Sequence, residues 1–180
     1  MQLADAKIYK KQIKKLYNDA FPKCEQTPFS FLLRKTKDKR NAFYAILDDD
    51  EFVGLTYIIE GEKIVYVFYL AIMEEHRGKG YGSDVLSLIK EMYPNSVITL
   101  AIEDTAEVDA PNFSERINRL EFYKRNGFEQ LNIHINEVGV VYELLGTSTG
   151  ITQADFLDLM KNYMGTFVFC FVYRKTKFEK

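Results

Sequence analysis

Three glycines at alternate positions, 78, 80 and 82, constrain the fold of this chain more than any other feature. The apolar segment Ile64–Ile72 precedes them, and residues 83–93, whose apolar positions recur at helical spacing, follow them. Glycine permits positive φ and lets a ligand approach the backbone closely. The first peptide N–H groups of a helix lack internal partners and carry partial positive charge. This junction therefore predicts a phosphate or pyrophosphate seat, to which Arg77 and Lys79 add charge.

The segments before the glycines predict two helices and then a run of strands. Residues 8–21 and 29–36 show helical apolar spacing, and Pro22 ends the first of them. Residues 42–47, 52–59 and 64–72 are rich in β-branched and aromatic residues and are separated by short polar turns. We expect these three strands to form an antiparallel meander, with the third, which is apolar nearly throughout, at the sheet centre.

The segments after the glycines predict a crossover. Residues 97–102 form a second buried strand, so strand, helix and strand make a right-handed βαβ unit with parallel strands. The fold class is therefore α/β, a single domain over 1–180 with a mixed central sheet flanked by helices, in which 146–180 form a C-terminal helix and strand. The later predicted elements are a helix with Pro111 in its first turn that runs to Asn126 with Gly127 as its cap, β segments over 131–145 and 167–173, and a helix over 153–163 capped by Thr152.

Charge and cysteine content exclude several classes of protein. The net charge of −2 gives no overall attraction to nucleic acid or to an anionic membrane, and no segment has the length and apolarity of a signal peptide or membrane span. Cys24 and Cys170 lie far apart, and with only two histidines they give no zinc spacing, so no metal is expected. We expect free, buried thiols and a cytoplasmic protein.

The spacing of the glycines discriminates among phosphate ligands. The Walker loop requires Ser or Thr after Gly-Lys, but Gly80 follows Gly78-Lys79 here. The dinucleotide fingerprint GxGxxG requires two residues between its second and third glycines, but only Tyr81 stands there. Glu103 lies at about the distance expected of a ribose-binding acid, so a Rossmann-type dinucleotide-binding protein stays a weaker alternative.

A different signature matches better. Arg77-x-x-Gly80-x-Gly82, after an apolar strand, resembles the acetyl-CoA signature of the GNAT superfamily of N-acetyltransferases. Downstream, Tyr123-x-x-x-Gly127-Phe128 resembles the Tyr-x-x-x-Gly-Phe motif of the same family, in the expected order and separation. The resemblance covers about residues 40 to 145, and the N-terminal helices also fit it.

The resemblance implies an enzyme that transfers the acetyl group of acetyl-CoA to a primary amine by direct attack in a ternary complex, without a metal. It implies that Tyr123 protonates the departing thiolate, and that backbone N–H groups at the end of the third strand polarise the thioester carbonyl. The residues implied in acetyl-CoA binding are Leu70, Ala71, Ile72, Arg77, Gly78, Lys79, Gly80, Tyr81, Gly82, Ser83 and Asn112.

The general base is not fixed by the resemblance. Many relatives carry a glutamate midway along the central strand, but the matching position here is Tyr66. Glu103 is the substitute candidate, and a solvated acid at a strand end is the equal alternative. Glu60 and Glu62 acting through water are further options. An amine whose pKa is lowered by burial needs no protein base.

The helix before Tyr123 carries a departure from the family. An asparagine that bonds the pantetheine arm in relatives corresponds to Arg116 here, and Asn112 just upstream is the candidate to replace it. Arg116 and Arg119 share a helix face, where they either pair with Glu103, face an acidic substrate or form ordinary surface charges. His76 and His134 have no partners evident in the sequence and are interpreted as structural.

Two further functions and the acceptor stay open. A non-catalytic acyl-CoA-binding or sensor module is the main alternative, because the central-strand glutamate is missing; a Rossmann-type oxidoreductase is the weaker one. The acceptor is a small-molecule or peptide amine, and its pocket is expected from residues 24–31, 103–112 and the C-terminal β segments. Neither nucleic acid nor membrane is expected as a partner, and the sequence is compatible with a homodimer.

Overall fold

The computed structural model describes residues 1–176, which form seven strands and six helices. The strands are β1 (Gln2–Asp5), β2 (Asn41–Asp48), β3 (Glu51–Glu60), β4 (Ile64–Ile72), β5 (Val97–Glu103), β6 (Glu129–Glu137) and β7 (Val140–Gly146). The helices are α1 (Lys10–Ala20), α2 (Phe29–Lys35), α3 (Tyr81–Met92), α4 (Phe113–Arg125), α5 (Gln153–Met164) and α6 (Thr166–Val172). A single 3-10 turn, Glu74–His76, follows β4.

The chain divides into two compact units, and the first comprises Met1–Glu60 and Val67–Pro94. Its strands β1, β2 and β3 pair in antiparallel fashion in that order, and the later part of β4 follows β3. Apolar residues at helical spacing bury one face of α1 and one face of α3, which gives this unit its own core. The fully buried members of that core include Ile13, Leu32, Leu55, Tyr57, Ile58, Leu86 and Ile89.

The second unit comprises Gly61–Tyr66 and Asn95–Lys180. The first three residues of β4, from Ile64 to Tyr66, pair in parallel with β5. β5 pairs antiparallel with β7, and β7 pairs antiparallel with β6 to form a hairpin. Phe156 of α5 is fully buried and meets the ring of Tyr66 edge to face at 5.0 Å, so the strands and α5 share a core.

The predicted fold class is confirmed: the protein has an α/β fold with a mixed sheet of seven strands. The three predicted strands at 42–72 form, and the parallel pairing of β4 with β5 confirms the strand arrangement of the predicted βαβ unit. Thr152 caps α5 as expected, in a capping box with Asp155. The assignment of 1–180 to one domain stays a prediction.

The predicted C-terminal strand is wrong. Residues 166–172 form α6 instead, after Gly165 adopts a φ of 85° and ends α5. A short apolar run fits a strand or a helix equally well by pattern, and a helix satisfies its backbone hydrogen bonds without a neighbouring strand. The last residues of the predicted C-terminal segment, 177–180, lie outside the described residues.

Three smaller expectations also differ from the structure. Cys24 and Cys170 are free thiols as predicted, but both are exposed rather than buried. The sequence analysis missed β1, a four-residue strand that is too short to show periodicity but is completed by pairing with β2. Pro111 precedes the N-cap of α4, Asn112, instead of lying in the first turn.

Candidate functional site

The glycine loop of residues 77–82 forms the start of α3, as its sequence predicts. Gly80 is the N-cap with a φ of 93°, and Gly78 has a φ of 74°. A Cβ built on either glycine would have no neighbour within 4 Å, so the loop backbone faces open space. Within residues 1–176, the peptide N–H groups of positions 78–82 donate to no backbone carbonyl. The loop therefore presents a row of unengaged donors at a helix N-terminus, where an anion is favoured.

The two cations of the loop are also available. Arg77 donates its Nε to the carbonyl oxygen of Ile72 at 3.3 Å, which orients the guanidinium and leaves its terminal nitrogens unengaged in the described part of the chain. Lys79 is exposed, and neither residue makes an ion pair within residues 1–176. Together they place two positive charges beside the free N–H groups, which suits a pyrophosphate.

Two contacts to the β2–β3 turn anchor the loop at its ends. The Tyr81 hydroxyl donates to Asp48 Oδ2 at 2.7 Å, and this hydrogen bond raises the pKa of Tyr81. His76 lies buried before the loop, with its Nε2 3.6 Å from Glu51 Oε1 and its ring packed edge to face against Tyr81. The sequence predicts only a turn for Asp48–Glu51, because contacts across 25 or more positions leave no local pattern.

The end of β4 carries the segment expected to meet the pantetheine arm. Leu70 and Ile72 are half-buried and Ala71 is buried. A Cβ on Gly54 of β3 would lie 2.5 Å from the Ala71 carbonyl oxygen, so only glycine allows the two backbones to approach this closely. The pairing of β4 with β5 ends at Tyr66, but β4 itself continues to Ile72.

The next residue back along β4, Tyr69, anchors a loop expected to line the acceptor pocket. Its hydroxyl donates to the Glu25 carbonyl at 2.8 Å and accepts from the Thr27 N–H at 3.1 Å. The Tyr17 hydroxyl donates to the Thr27 carbonyl at 2.9 Å, and burial raises the pKa of Tyr17. The first unit thus joins the segment around residues 25–27 to the strand that carries Leu70–Ile72.

In the second unit, Glu103 lies at the centre of a polar network that here is called the Glu103 cluster: Glu103, Asn112, Arg116 and Arg119. Asn112 Nδ2 lies 3.2 and 3.0 Å from the two Glu103 oxygens and donates to that carboxylate, while its Oδ1 accepts from Arg116 Nε at 2.9 Å. Arg116 Nη2 lies 3.0 Å from Glu103 Oε1. The cluster therefore occupies both the donor and the acceptor of the Asn112 amide.

The Glu103 cluster settles one alternative left open by the sequence. Both Arg116 and Arg119 pair with Glu103, the latter at 3.4 Å, rather than standing as separate surface charges. Arg116 also pairs with Glu107 at 2.9 Å and donates to the Asp104 carbonyl. The side chains of Glu103 and Arg116 are only 12% and 9% exposed, so this ion pair is largely removed from water.

Tyr123 lies on α4, and this helix ends in the turn that the second motif predicts. Gly127 has a φ of 75°, and the Phe128 N–H donates to the Tyr123 carbonyl at 3.1 Å, which closes the helix. The ring of Tyr123 packs against Phe122 and Phe128, with centroids 5.1 and 5.8 Å away. Burial raises the pKa of Tyr123 above its ordinary value, with Arg119 acting weakly in the opposite direction, so the hydroxyl stays protonated near neutral pH.

No helix within residues 1–176 combines the length and apolarity that a membrane crossing requires.

Position 66, where many relatives carry a glutamate, holds the buried Tyr66 packed against Phe156. The first unit therefore contains a helix N-terminus whose N–H groups have no partner among the described residues, and the second contains Tyr123 and the Glu103–Arg116 ion pair.

These features define the class of protein as one with an α/β fold and a glycine-rich loop between β4 and the N-terminus of α3. The family model described as the acetyltransferase (GNAT) family matches residues 10–128, which include both the loop and the Tyr123-to-Phe128 motif. The chain belongs to the acetyltransferase (GNAT) family. No curated protein matches the chain.

Solved structures of the same fold include three with high coverage. A GNAT-family protein from Bacteroides thetaiotaomicron is 21% identical with a TM-score of 0.71, over 93% of this chain and 97% of that one. An aminoglycoside 6'-N-acetyltransferase complexed with coenzyme A is 15% identical with a TM-score of 0.63, over 84% and 99%. Naa50 of Arabidopsis thaliana, in complex with the bisubstrate analogue CoA-Ac-MVNAL, is 19% identical with a TM-score of 0.62, over 82% and 97%.

Proposed function

We propose that this protein is an N-acetyltransferase that transfers the acetyl group of acetyl-CoA to a primary amine by direct attack in a ternary complex. The observation that carries the proposal is the row of N–H groups at positions 78–82, unengaged among residues 1–176, beside the cations of Arg77 and Lys79, which form no ion pair in that range. This arrangement matches the pyrophosphate of coenzyme A in charge and in donor number. The roles of Gly78, Gly80 and Gly82 in that seat rest on their backbone, and that of Tyr81 on its N–H, since its hydroxyl is bonded to Asp48. Ser83 would contribute its hydroxyl, because its N–H donates to the Gly80 carbonyl at 2.9 Å.

The reaction forms a C–N bond and breaks a C–S bond at the thioester carbonyl. The neutral amine attacks the carbonyl carbon, and the oxygen gains negative charge that backbone N–H groups of Leu70–Ile72 stabilise. Collapse of the intermediate expels the coenzyme A thiolate, which receives the Tyr123 proton, while the new amide nitrogen loses its extra proton to a base or to water. The raised pKa of Tyr123 supports this step, because the acid must hold its proton until the thiolate departs.

Glu103 stays the proposed protein base, although its contacts limit that role. Both of its oxygens already accept hydrogen bonds from Asn112, and Arg116 lies 3.0 Å from one of them. A proton on this carboxylate would weaken the ion pair with Arg116. These contacts favour the alternative in which the amine loses its proton on burial, with Glu103 positioning Arg116 and Asn112. The same contacts require Asn112 to exchange a donor before it can bind the pantetheine arm.

The acceptor is proposed to be a small-molecule or peptide amine. Among proteins of this fold, one is an aminoglycoside 6'-N-acetyltransferase, and another is in complex with the bisubstrate analogue CoA-Ac-MVNAL. Here the segment around residues 25–27, held by Tyr69 beside Leu70, is the proposed acceptor wall of the first unit. A cytoplasmic location is part of this proposal.

The test is calorimetric binding followed by turnover. We expect saturable 1:1 binding of acetyl-CoA and no comparable binding of NADH, and then release of free thiol with at least one amine of a panel that includes peptide N-termini, polyamines and amino sugars. Binding of NADH more tightly than acetyl-CoA would contradict the proposal.

A non-catalytic acyl-CoA-binding module is the second candidate. The buried Tyr66, which replaces the carboxylate found at this strand position in many relatives, is the observation that favours it. This candidate predicts the same acetyl-CoA binding but no thiol release with any amine. It also predicts that Tyr123→Phe behaves like the wild type in every assay. Turnover above the rate of spontaneous acetyl-CoA hydrolysis rejects it.

A further inference from the structure

Three potential metal ligands meet in the second unit, and the side chain of none of them takes part in the proposed acetyl transfer step. One ligand atom from each of Asp104, His134 and Glu143 lies within 4.8 Å of the other two. His134 and Glu143 lie in the paired strands β6 and β7, and Asp104 directly follows β5. The Asp104 N–H donates to the Val141 carbonyl of β7 at 3.0 Å, so backbone hydrogen bonds fix all three positions. We call this group the Asp104–His134–Glu143 triad.

An irregularity in the β6–β7 hairpin creates the triad. Gln130 pairs with Leu145, but His134 pairs with Glu143, so two additional residues are accommodated in β6 between these pairs. Asn132, within that bulge, has a φ of 56°. If the first register continued, Asn132 would face Glu143 and the histidine would stand opposite Val141. Bulges commonly redirect a side chain at functional positions, and here the bulge places an imidazole opposite a carboxylate.

The electrostatics of Glu143 favour a bound cation. Glu143 is only 3% exposed, and it makes no ion pair with any lysine or arginine in the described part of the chain. Burying a charge is costly unless it is paired or coordinates a metal. The neighbouring Asp104 is another carboxylate, and a cation bound between the two acids would relieve their mutual repulsion.

Neighbouring groups orient the two carboxylates. Gln130 Nε2 donates to Glu143 Oε2 at 2.8 Å, and the Ala106 N–H donates to Asp104 Oδ1 at 2.9 Å. Each carboxylate therefore keeps its second oxygen for a ligand. Partners of this kind orient metal ligands and tune their affinity. His134 is exposed, so an ion can enter from solvent on the imidazole side.

We propose that Asp104, His134 and Glu143 bind a divalent first-row transition-metal ion, with Zn²⁺ as the best match. One imidazole nitrogen with two carboxylate oxygens suits zinc better than magnesium or calcium, which prefer oxygen ligands alone. Three protein ligands leave a fourth position for water or another ligand. This site was not expected from the sequence, and of its three residues only Asp104 lies in the 103–112 segment expected to line the acceptor pocket. Its direct effect is to tie β5, β6 and β7 together.

The experiment compares the two histidines of the chain. Untagged protein is stripped with a chelator, dialysed, and titrated with ZnCl₂ by calorimetry and with CoCl₂ by visible absorption. We expect 1:1 Zn²⁺ binding, an intense cobalt d–d spectrum and a Zn²⁺-dependent rise in Tm. His134→Ala and Asp104→Asn should each weaken binding at least about tenfold, as expected for loss of a ligand or its support. His76→Gln and Asp109→Asn are the matched controls and should bind like the wild type.

Glu143→Gln distinguishes metal binding from a purely structural role of Glu143, because the two roles predict different changes in Tm. Removing an uncompensated buried charge should leave the metal-free Tm unchanged or higher, while the Zn²⁺-dependent rise in Tm disappears. Circular dichroism of each metal-free variant verifies folding. The proposal is overturned if the wild type shows no saturable Zn²⁺ binding below about 100 μM, which is a free energy of only about −5.5 kcal/mol. Equal binding by His134→Ala and wild type, or loss of binding in His76→Gln, also overturns it.

Discussion

The glycine loop of residues 77–82 and the Glu103 cluster both gather charge at the end of a strand, but they differ in how their polar groups are used. In the loop, the peptide N–H groups of 78–82 and the terminal nitrogens of Arg77 have no partner in the described residues. In the cluster, both oxygens of Glu103 and both ends of the Asn112 amide are bonded to neighbours. The loop is open to a ligand, whereas the cluster is closed on itself.

This difference separates a binding role from a structural one. Exposed donors at a helix terminus cost little in water and gain free energy only when an anion arrives. A buried ion pair such as Glu103–Arg116 is paired in advance, and its disruption leaves an uncompensated charge. Changes in the loop should therefore affect ligand affinity more than stability, and changes in the cluster should do the reverse.

The largest expected effect follows from Arg116→Ala. Losing Arg116 leaves Glu103, which is 12% exposed, with only the more exposed Arg119 as a cationic partner, and should lower the free energy of unfolding by about 3 kcal/mol. For a chain of this size that corresponds to a Tm lower by roughly 6–12 °C. Arg119→Ala is the control, because Arg119 is 44% exposed and should contribute no more than about 1 kcal/mol. Similar Tm losses in the two variants, measured by calorimetry, would show that the cluster is not closed in solution.

Tyr123→Phe should give the largest effect on turnover. Loss of the proton donor should lower kcat about 100-fold while the Kd for acetyl-CoA stays within twofold. Because burial raises the pKa of Tyr123, the acid form persists as pH rises, and kcat should not fall on the basic side below about pH 10. Tyr93→Phe is the control, since burial also raises the pKa of that half-buried tyrosine, to about 12. A basic limb near pH 8 that vanishes in Tyr123→Phe would contradict this assignment of the acid.

Gly80→Ala tests whether the loop is a ligand seat rather than a turn. Gly80 and Gly139 have φ values of 93° and 104°, so alanine at either position should cost a similar 1–2 kcal/mol, roughly, in backbone strain. Only Gly80→Ala should also weaken acetyl-CoA binding, by about tenfold, because its methyl group projects into the space that faces the loop. Equal acetyl-CoA affinity in Gly80→Ala and Gly139→Ala, by calorimetry, would reduce the loop to a structural turn.

Tyr81→Phe should have the smallest effect. It removes the hydrogen bond to Asp48 but keeps the loop backbone and its charges, so we expect the Kd for acetyl-CoA to rise by less than about tenfold. Asp48→Asn should reproduce the effect, since the same bond is weakened from its other end. A loss as large as that of Gly80→Ala would mean that the β2–β3 turn holds the loop in its binding conformation.

The sequence was most informative where local spacing carries the meaning. Residues 64–92 read as strand, glycine loop and helix because apolar periodicity and glycine positions specify each of them locally, and the family assignment followed from two short motifs. Prediction failed for α6, where the aromatic and β-branched run from Phe167 on is compatible with both states, and for β1, which forms only by pairing with β2.

By itself, the sequence determined the family, the order of the main elements and the place of the glycine loop, because neighbouring residues define these features. Only the tertiary structure decided what each charged residue faces. Glu103 faces two arginines of α4, Tyr81 and His76 reach the β2–β3 turn, and His134 meets Glu143 through a bulge. Such contacts depend on strand register and helix packing across many positions. The sequence therefore predicts the glycine loop but not the partners of the charged and polar residues named above.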